Sequence, residues 1–240
     1  MISSAGIQQC SQKMAALLFP RRCPFCGRVL GYVAVCSRCA PELNRLRRAV
    51  PRLSPGDHCL DNLVGAASLY QYKGCVRNAV LRMKGRGNLW YAHEIGIQIA
   101  CMFSCTFRWE HGILIQETAP AVQMYDMVIP VPPSRPDRWD TLSARLAVTL
   151  ALCLGVPVER GYLYKQRMTE KQAGKSAAER MKNVKDAYGV HQPQQIEGKR
   201  ILLVDDVITT GATLSNCAKA LCKAGALEIF AVTFAQTSLV

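Results

Sequence analysis

The sequence predicts an α/β protein with a parallel sheet flanked by helices, preceded by a small four-cysteine module. Short apolar runs alternate with segments of helical periodicity, and one such run leads into an acidic pair and a glycine-containing turn. Two Cys-x-x-Cys pairs predict the module, and they consist of Cys23, Cys26, Cys36 and Cys39. We expect one domain at residues 1–52 and a second at residues 60–240, with a Ser-Pro-Gly linker between them.

Length and composition are typical of a globular protein. With 240 residues, half of them apolar, the chain can bury a substantial core. The formal charge of +13 favours anionic partners such as nucleic acid, nucleotides or phosphorylated metabolites, and a solvated basic surface is the alternative. No run approaches the roughly 18 apolar residues that span a bilayer, so we expect no membrane span. Twelve cysteines without a disulfide framework predict a cytoplasmic protein.

The N-terminal part predicts a helix followed by a metal-binding module. Residues 1–19 carry an apolar set at helical spacing, and the two cysteine pairs that follow resemble knuckles that direct four thiolates at one tetrahedral Zn²⁺. Redox-active or incidental thiols are the alternative. The module is strongly basic, which suits contact with a phosphate backbone or a solvated surface. Its arginines are Arg21, Arg22, Arg28, Arg38, Arg45, Arg47, Arg48 and Arg52.

The next stretch predicts the first strand and two helices. Residues 64–72 form a strand-like run, and apolar residues recur at helical spacing over 76–83. That helix ends at Lys84 in a Lys-Gly-Arg-Gly turn, which either brings a cation close to a phosphate or only caps the helix. A second helix is expected at about residues 89–107, whereas residues 110–125 show no clear period.

A second strand, followed by a cationic turn, is predicted at residues 126–131. The turn is rich in proline and carries Arg135 and Arg138, and a helix is expected at about residues 141–154. Ligands of open α/β sheets bind along the carboxyl edge, where two guanidinium groups suit a diphosphate. Salt bridges with aspartates of the same segment are the alternative.

The C-terminal part predicts three further strands. A short strand is expected at residues 159–164 and is followed by a polar, basic loop at 165–175. The central strand is expected at residues 199–206 and the last strand at 227–234, with a helix at 214–224 between them. The repeated order of strand, helix and strand predicts a parallel sheet.

The central strand and the turn after it combine groups that suit a ribose 5-phosphate. Asp205 and Asp206 follow an apolar run, and their carboxylates can accept hydrogen bonds from vicinal sugar hydroxyls or bind Mg²⁺. A turn that leads into a helix presents free backbone N–H groups to a phosphate. An ordinary strand and helix joined by a polar turn is the alternative. The turn consists of Thr209, Thr210, Gly211, Ala212 and Thr213.

These residues carry a family resemblance. Four apolar residues, two acids and Thr-Thr-Gly-Ala-Thr resemble the phosphoribosyl pyrophosphate (PRPP) motif of type I phosphoribosyltransferases. With the cysteine pairs in front, nearly the whole chain resembles the ComF competence family, also called GntX-type proteins. Residues 69–85 are similar to the family's tyrosine-rich strand, helix and Lys-x-Gly turn, and residues 167–184 to its active-site loop. The site candidates that the resemblance adds or supports are Lys84, Arg167, Thr169, Gln172, Arg180 and Asn183.

The resemblance implies a type I phosphoribosyltransferase-like sheet, PRPP as the ligand and Mg²⁺ beside it. The turn would bind the 5-phosphate, Asp205 and Asp206 would contact the ribose as the catalytic pair, and a set of cations would bind the pyrophosphate side. Residues 138–142 read Arg-Trp-Asp-Thr-Leu where the family has Arg-Gly-Phe-Asn-Gln, so turnover is left open and the acceptor is unknown. The cations are Lys84, Arg135, Arg138 and Arg167.

A second function belongs to a different class. The family's link to DNA uptake implies a non-catalytic accessory protein, in which the basic zinc module contacts single-stranded DNA and the PRPP-like site only binds or senses its ligand. No nucleophilic side chain is expected for either function. Local packing accounts for the four histidines, which lie apart in the sequence: His58, His93, His111 and His191.

Overall fold

The computed structural model describes most of the chain between residues 20 and 237. The described ranges are residues 20–31, 33, 36–84, 89–103, 106–110, 113–118, 124–133, 140–166 and 187–237. The helix predicted at residues 1–19 and the site candidates Arg135, Arg138, Arg167, Thr169, Gln172, Arg180 and Asn183 therefore lie outside the described residues.

Five α-helices and eight strands lie in these ranges. The helices are α1 Ala40–Leu46, α2 Gly74–Lys84, α3 Ala92–Ala100, α4 Leu142–Leu154 and α5 Ala212–Lys223. The strands are β1 Gly65–Gln71, β2 Thr106–Glu110, β3 Ile113–Thr118, β4 Met127–Pro130, β5 Leu163–Lys165, β6 Tyr188–Val190, β7 Arg200–Ile208 and β8 Glu228–Gln236. Short 3₁₀ helices occur at Leu89–Tyr91, Cys101–Phe103 and Pro193–Gln195.

The predicted parallel sheet is confirmed. Its four strands follow the order β1-β8-β7-β4, and all three neighbouring pairs are parallel. Successive residues of β7 point to opposite faces, so Leu202 and Val204 join one apolar core while Ile201 and Leu203 join the other. Helices α2, α3 and α4 contribute to the first core and α5 to the second. Both faces of the central strand are therefore covered, which explains its unbroken apolar sequence.

The cysteine module packs against the first face of the sheet. The Phe25 ring lies 6.2 Å from the rings of both Tyr70 on β1 and Phe234 on β8, measured between centroids. Arg21 donates two hydrogen bonds of 2.8 Å to Glu94 on α3, and both side chains are only 11% exposed. The division into residues 1–52 and 60–240 stays a prediction, and an apolar core extends across it.

The structure corrects the prediction for residues 89–125. The helix expected at 89–107 ends in a 3₁₀ turn at Cys101–Phe103, and a strand, β2, begins at Thr106. The aperiodic segment contains β3, which pairs antiparallel with β2. Short apolar runs fit helical and extended spacing almost equally well, so periodicity alone did not separate the end of this helix from the hairpin.

Smaller corrections concern the strands around the candidate site. The strand expected at residues 159–164 is β5, Leu163–Lys165, which pairs antiparallel with the unpredicted strand β6. The central strand continues two residues past Asp206 to Ile208, and α5 begins at Ala212, earlier than the expected 214. None of the helices in the described ranges is long and apolar enough to cross a membrane.

Candidate functional site

Asp205 and Asp206 lie near the carboxyl end of β7, inside the strand and not after it. The Asp205 carboxylate accepts a hydrogen bond of 2.8 Å from the hydroxyl of Ser143, at the start of α4. The same Oδ1 atom accepts a second hydrogen bond of 2.8 Å from the backbone N–H of Asp206. Asp205 is therefore fixed in orientation by two donors.

Asp206 has a cationic partner from a distant part of the chain. Lys84, the last residue of α2, donates a hydrogen bond of 2.8 Å from Nζ to Asp206 Oδ1. The Asp206 side chain is 13% exposed and the Lys84 side chain 49% exposed, so the pair lies at the surface of the site with its cation facing solvent. The sequence predicted Lys84 as a site residue, and the structure brings it to the acidic pair.

The two acids share an electrostatic cost. Burial of the Asp205 carboxyl group, followed by the neighbouring charge of Asp206, raises its pKa from 3.8 to about 7, against the opposing effects of Ser143 and Lys84. For Lys84, desolvation lowers the pKa, but the charges of Asp206 and Asp205 and the hydrogen bond to Asp206 together outweigh this effect, so the pKa is raised overall. Asp205 is thus a group whose charge a bound cation or hydrogen-bond donor would stabilise.

The turn between β7 and α5 depends on a glycine. Gly211 adopts φ 83°, in the left-handed region, and a Cβ atom at this position would clash with the backbone carbonyl of Cys59. The Thr210 hydroxyl accepts a long hydrogen bond of 3.4 Å from the N–H of Ala212, the first residue of α5. The N-cap residue of α5 is Gly211, which has no side chain that could cap the helix. The first turn of α5 therefore offers N–H groups that have no partner within the helix.

Two residues that the sequence did not suggest support this turn. His58 is buried and its Nδ1 donates a hydrogen bond of 2.7 Å to the carbonyl of Thr209. The N–H of Cys59 donates one of 2.8 Å to the carbonyl of Thr210. These hydrogen bonds satisfy the backbone carbonyl groups of Thr209 and Thr210. The backbone N–H groups of the turn are left for a ligand.

The four predicted cysteine ligands lie together. All their Sγ atoms are within 4.8 Å of one another, with 3.8 Å between Cys23 and Cys39 and 3.7 Å between Cys26 and Cys36. A tetrahedral ion with Zn–S bonds of about 2.3 Å separates its sulfur ligands by about 3.8 Å. The cluster therefore fits a metal ion such as zinc.

Without a metal, the thiols of Cys23, Cys26 and Cys39 differ in pKa. Burial raises the pKa of Cys23 to about 11 and also raises that of Cys39. Burial also acts to raise the pKa of Cys26, but hydrogen bonds from the backbone at Arg28 and from the other thiols outweigh it and lower the value to about 7. Metal binding must therefore displace protons from the more buried thiols, which makes the affinity depend on pH.

The sequence could not reveal every contact of the site. Ser143 and Lys84 lie 62 and 122 residues from their aspartate partners, and no local pattern marks such pairs. Asp140, one of the aspartates near the cationic turn, accepts a hydrogen bond of 2.9 Å from Arg145. His58 was assigned to packing, and a histidine in a polar stretch carries no signal that links it to a turn 151 residues away.

Comparison with known proteins agrees with this geometry. The model of the phosphoribosyl transferase domain family matches residues 140–238, which include the acidic pair and the turn. The competence protein ComFC of Bacillus subtilis is 28% identical over 85% of this chain and 72% of its own length. The competence protein F of Haemophilus influenzae is 32% identical over 45% of this chain and 49% of its own.

The chain thus carries a phosphoribosyltransferase-like domain and is similar to competence proteins over most of its length. The DNA utilization protein YhgH of Salmonella typhimurium is a further relative, with 29% identity over 49% of this chain. The chain spans about half the length of that protein and of the Haemophilus relative. Among solved structures, the glutamine PRPP amidotransferase of Bacillus subtilis with ADP and GMP is 26% identical, covering 59% of this chain and 25% of its own, at a TM-score of 0.37.

The cysteine cluster predicts a bound zinc ion. Purified protein should contain about one Zn²⁺ per chain, and Cys36→Ser should release it and lower the melting temperature, because three thiolates bind the ion more weakly than four. Plasma emission spectrometry and thermal unfolding measure the two effects. Cys222→Ser, at an exposed cysteine, is the control and should leave both unchanged. Folded, metal-free wild-type protein would contradict the prediction.

The raised pKa of Asp205 predicts that the acidic pair destabilises the folded protein more at high pH than at low pH. Because the folded carboxyl group binds its proton more tightly than the usual value of 3.8, the free energy of unfolding falls as the pH rises from about 4 to about 7. Asp205→Asn does not titrate but keeps the acceptor for Ser143. The variant should therefore match the wild type near pH 4 and melt at a higher temperature at pH 8.

Thermal unfolding in buffer free of Mg²⁺ and phosphate measures this difference. Asp57→Asn, at an exposed aspartate, is the matched control and should show no widening gap between pH 4 and pH 8. A constant difference between Asp205→Asn and the wild type over that range would show that Asp205 is not the group responsible.

Proposed function

We propose that this protein belongs to the ComF family and binds PRPP together with Mg²⁺ at the carboxyl edge of its sheet. One arrangement carries the proposal: the acidic pair of β7, the glycine turn before α5 and the cation Lys84 lie at the same edge. Each of these groups suits a different part of PRPP. The fold and the relatives support PRPP binding and a role in competence in general terms.

The 5-phosphate would bind at the start of α5. The first helical turn offers N–H groups without helical partners, and the helix dipole favours an anion there. Thr209 and Thr213 add hydroxyl groups from either side of the turn. Gly211 keeps the turn free of a side chain in its left-handed conformation. A phosphate is therefore matched in charge and in hydrogen-bond donors.

The ribose would bind to Asp205 and Asp206. Two carboxylates side by side accept hydrogen bonds from vicinal hydroxyls, and these donors would stabilise the charge that burial opposes at Asp205. We assign both aspartates to catalysis, because they would contact the sugar whose anomeric carbon reacts. Mg²⁺, when bound, would neutralise part of the diphosphate charge and favour its departure.

The pyrophosphate would face cations. Lys84 already lies 2.8 Å from Asp206 and can contact a diphosphate above the pair. Arg135, Arg138 and Arg167 complete the proposed cationic set. Transfer at the anomeric carbon develops positive charge on the sugar and releases pyrophosphate, so the side chains would act by positioning and by charge stabilisation. Binding of PRPP is the proposal, and turnover additionally needs an acceptor.

Calorimetry with PRPP and Mg²⁺ tests this proposal. Wild-type protein should bind PRPP, and Asp205→Asn/Asp206→Asn should weaken binding by about 100-fold or more, because two charge-assisted contacts to the ligand are lost. Glu228→Gln, an exposed carboxylate at the opposite end of the sheet, is the control and should bind normally. Absence of binding by the wild type, or binding that survives the double substitution, would refute the proposal.

A second candidate function is contact with single-stranded DNA. It is favoured by a group of exposed arginines on the cysteine module and by relatives named for competence and DNA utilization. Arg21 does not belong to this group, since it is paired with Glu94. The proposal places the protein in the cytoplasm, where reducing conditions keep thiolates available as metal ligands. The exposed arginines include Arg28, Arg38 and Arg45.

Anisotropy with a labelled single-stranded oligonucleotide over a range of salt concentrations tests the DNA contact. Arg28→Gln/Arg38→Gln/Arg45→Gln should weaken binding and reduce the slope of log K against log salt by about 2, at roughly 0.7 per phosphate contact. A control with the same change in charge elsewhere, Arg77→Gln/Arg160→Gln/Lys223→Gln, should bind more tightly than this variant. An equal loss of DNA affinity in the two triple variants, or an affinity that does not change with salt concentration, would contradict a DNA contact at the module. Truncation at residue 52 is unsuitable, because Phe25 and Leu43 belong to the main core.

A further inference from the structure

Helix α2, which ends at Lys84, is attached to the cysteine module near both ends. Near its C-terminus, Arg82 donates a hydrogen bond of 3.1 Å from Nη2 to the carbonyl of Phe25, which lies between the ligands Cys23 and Cys26. At its N-terminus, the N–H of Cys75 donates one of 2.9 Å to Oε1 of Glu42. Both partners therefore come from the module.

The partners in the module lie close to the metal ligands along the chain. Glu42 belongs to α1, which begins directly after Cys39, the fourth ligand. Phe25 is adjacent to Cys26 in the first knuckle, and its ring packs on the aromatic side chains of the sheet. A metal that fixes the four sulfur atoms would therefore also fix the two acceptors that contact α2.

The contact surfaces are shaped for close approach. Gly74, the first residue of α2, has φ 46°, and a Cβ atom there would clash with the Glu42 carboxylate. Gly27 has φ 76°, and a Cβ atom there would lie 3.6 Å from the Tyr91 hydroxyl and 3.9 Å from Nη1 of Arg82. The module and α2 thus approach closely at Gly74, where a side chain would not fit beside Glu42.

The position of Lys84 depends on where α2 ends, and the buried side chains of the helix and these attachments together hold it. Its side chain is 49% exposed, so burial does not enforce its contact with Asp206, and the location of the helix end decides whether Nζ reaches the carboxylate. Arg82 lies two residues before Lys84 on the same short helix. An α-helix of eleven residues is stiff over its length, so a helix fixed near both ends also fixes its last side chain.

We propose that Arg82 and Glu42 are positioning residues through which the metal-binding module fixes Lys84 at the acidic pair. The cysteine module would then support the ligand site of the sheet as well as its own fold. Loss of the attachments would release Lys84 from Asp206 and remove a cation from the pyrophosphate side. The second consequence rests on the proposed binding of PRPP, and the first does not.

Two readouts separate the positioning role from PRPP binding. The first is the rate at which the Lys84 amine reacts with an acylating reagent in ligand-free protein, followed by mass spectrometry with the exposed Lys73 as internal reference. The second is the dissociation constant of PRPP with Mg²⁺. Arg82→Ala and Glu42→Ala are the test variants. Glu42→Gln keeps an acceptor for Cys75, and Arg77→Ala removes an exposed arginine of the same helix.

Arg82→Ala and Glu42→Ala should each raise the relative reaction rate of Lys84 and weaken PRPP binding by about three- to tenfold, the usual effect of one lost hydrogen bond. Glu42→Gln and Arg77→Ala should stay within about twofold of the wild type. Zinc content should remain at about one per chain in every variant, since no ligand is changed. In a Lys84→Ala background, Arg82→Ala should cause no further loss of PRPP affinity.

The outcomes are distinct. Unchanged Lys84 reactivity in folded Arg82→Ala and Glu42→Ala overturns the positioning role, as does an equal loss of affinity from Arg82→Ala with and without Lys84. Raised reactivity together with a wild type that does not bind PRPP supports the positioning role and defeats the proposed function. If Arg82→Ala does not fold, Glu42→Ala against Glu42→Gln decides the question alone.

Discussion

Two adjacent carboxylates on a buried central strand are the constraint on which this structure depends. Asp205 and Asp206 repel each other, and burial raises the pKa of Asp205 to about 7. The chain compensates from two separate helices, since Ser143 donates to Asp205 from the start of α4 and Lys84 to Asp206 from the end of α2. A pair that is costly in the free protein becomes favourable once a ligand supplies hydroxyl donors or a cation, so the site is arranged for binding.

The rest of the fold holds Ser143 and Lys84 in place beside the acidic pair. The core on one face of the sheet joins α2, α3 and α4 to the cysteine module, and the paired side chains of Arg21 and Glu94 add a bidentate contact between module and helix. On the other face, α5 packs into the second core. His58 and the N–H of Cys59 donate hydrogen bonds to the carbonyl groups of the turn that precedes this helix. The cysteine cluster, the sheet and the glycine turn thus form one continuous arrangement.

Local chemistry made much of this arrangement predictable. The apolar run before Asp205 predicted a strand buried on both faces, the cysteine spacing predicted the cluster, and Gly211 predicted a turn with unusual backbone conformation. Contacts over long sequence separations were not predictable, because nothing near Ser143 or His58 indicates which strand or turn each will meet. The β2–β3 hairpin was missed for a different reason: its strands have only five and six residues, and residues 110–125 show no clear period.

A crystal structure of the protein with PRPP and Mg²⁺ tests the central claim most directly. The account predicts the 5-phosphate within about 3 Å of backbone nitrogens in residues 210–213, with the ribose hydroxyls bonded to Asp205 and Asp206. It also predicts that Lys84 stays close enough to contact the diphosphate. A phosphate bound elsewhere, with the turn empty and Asp206 still paired only with Lys84, would contradict it.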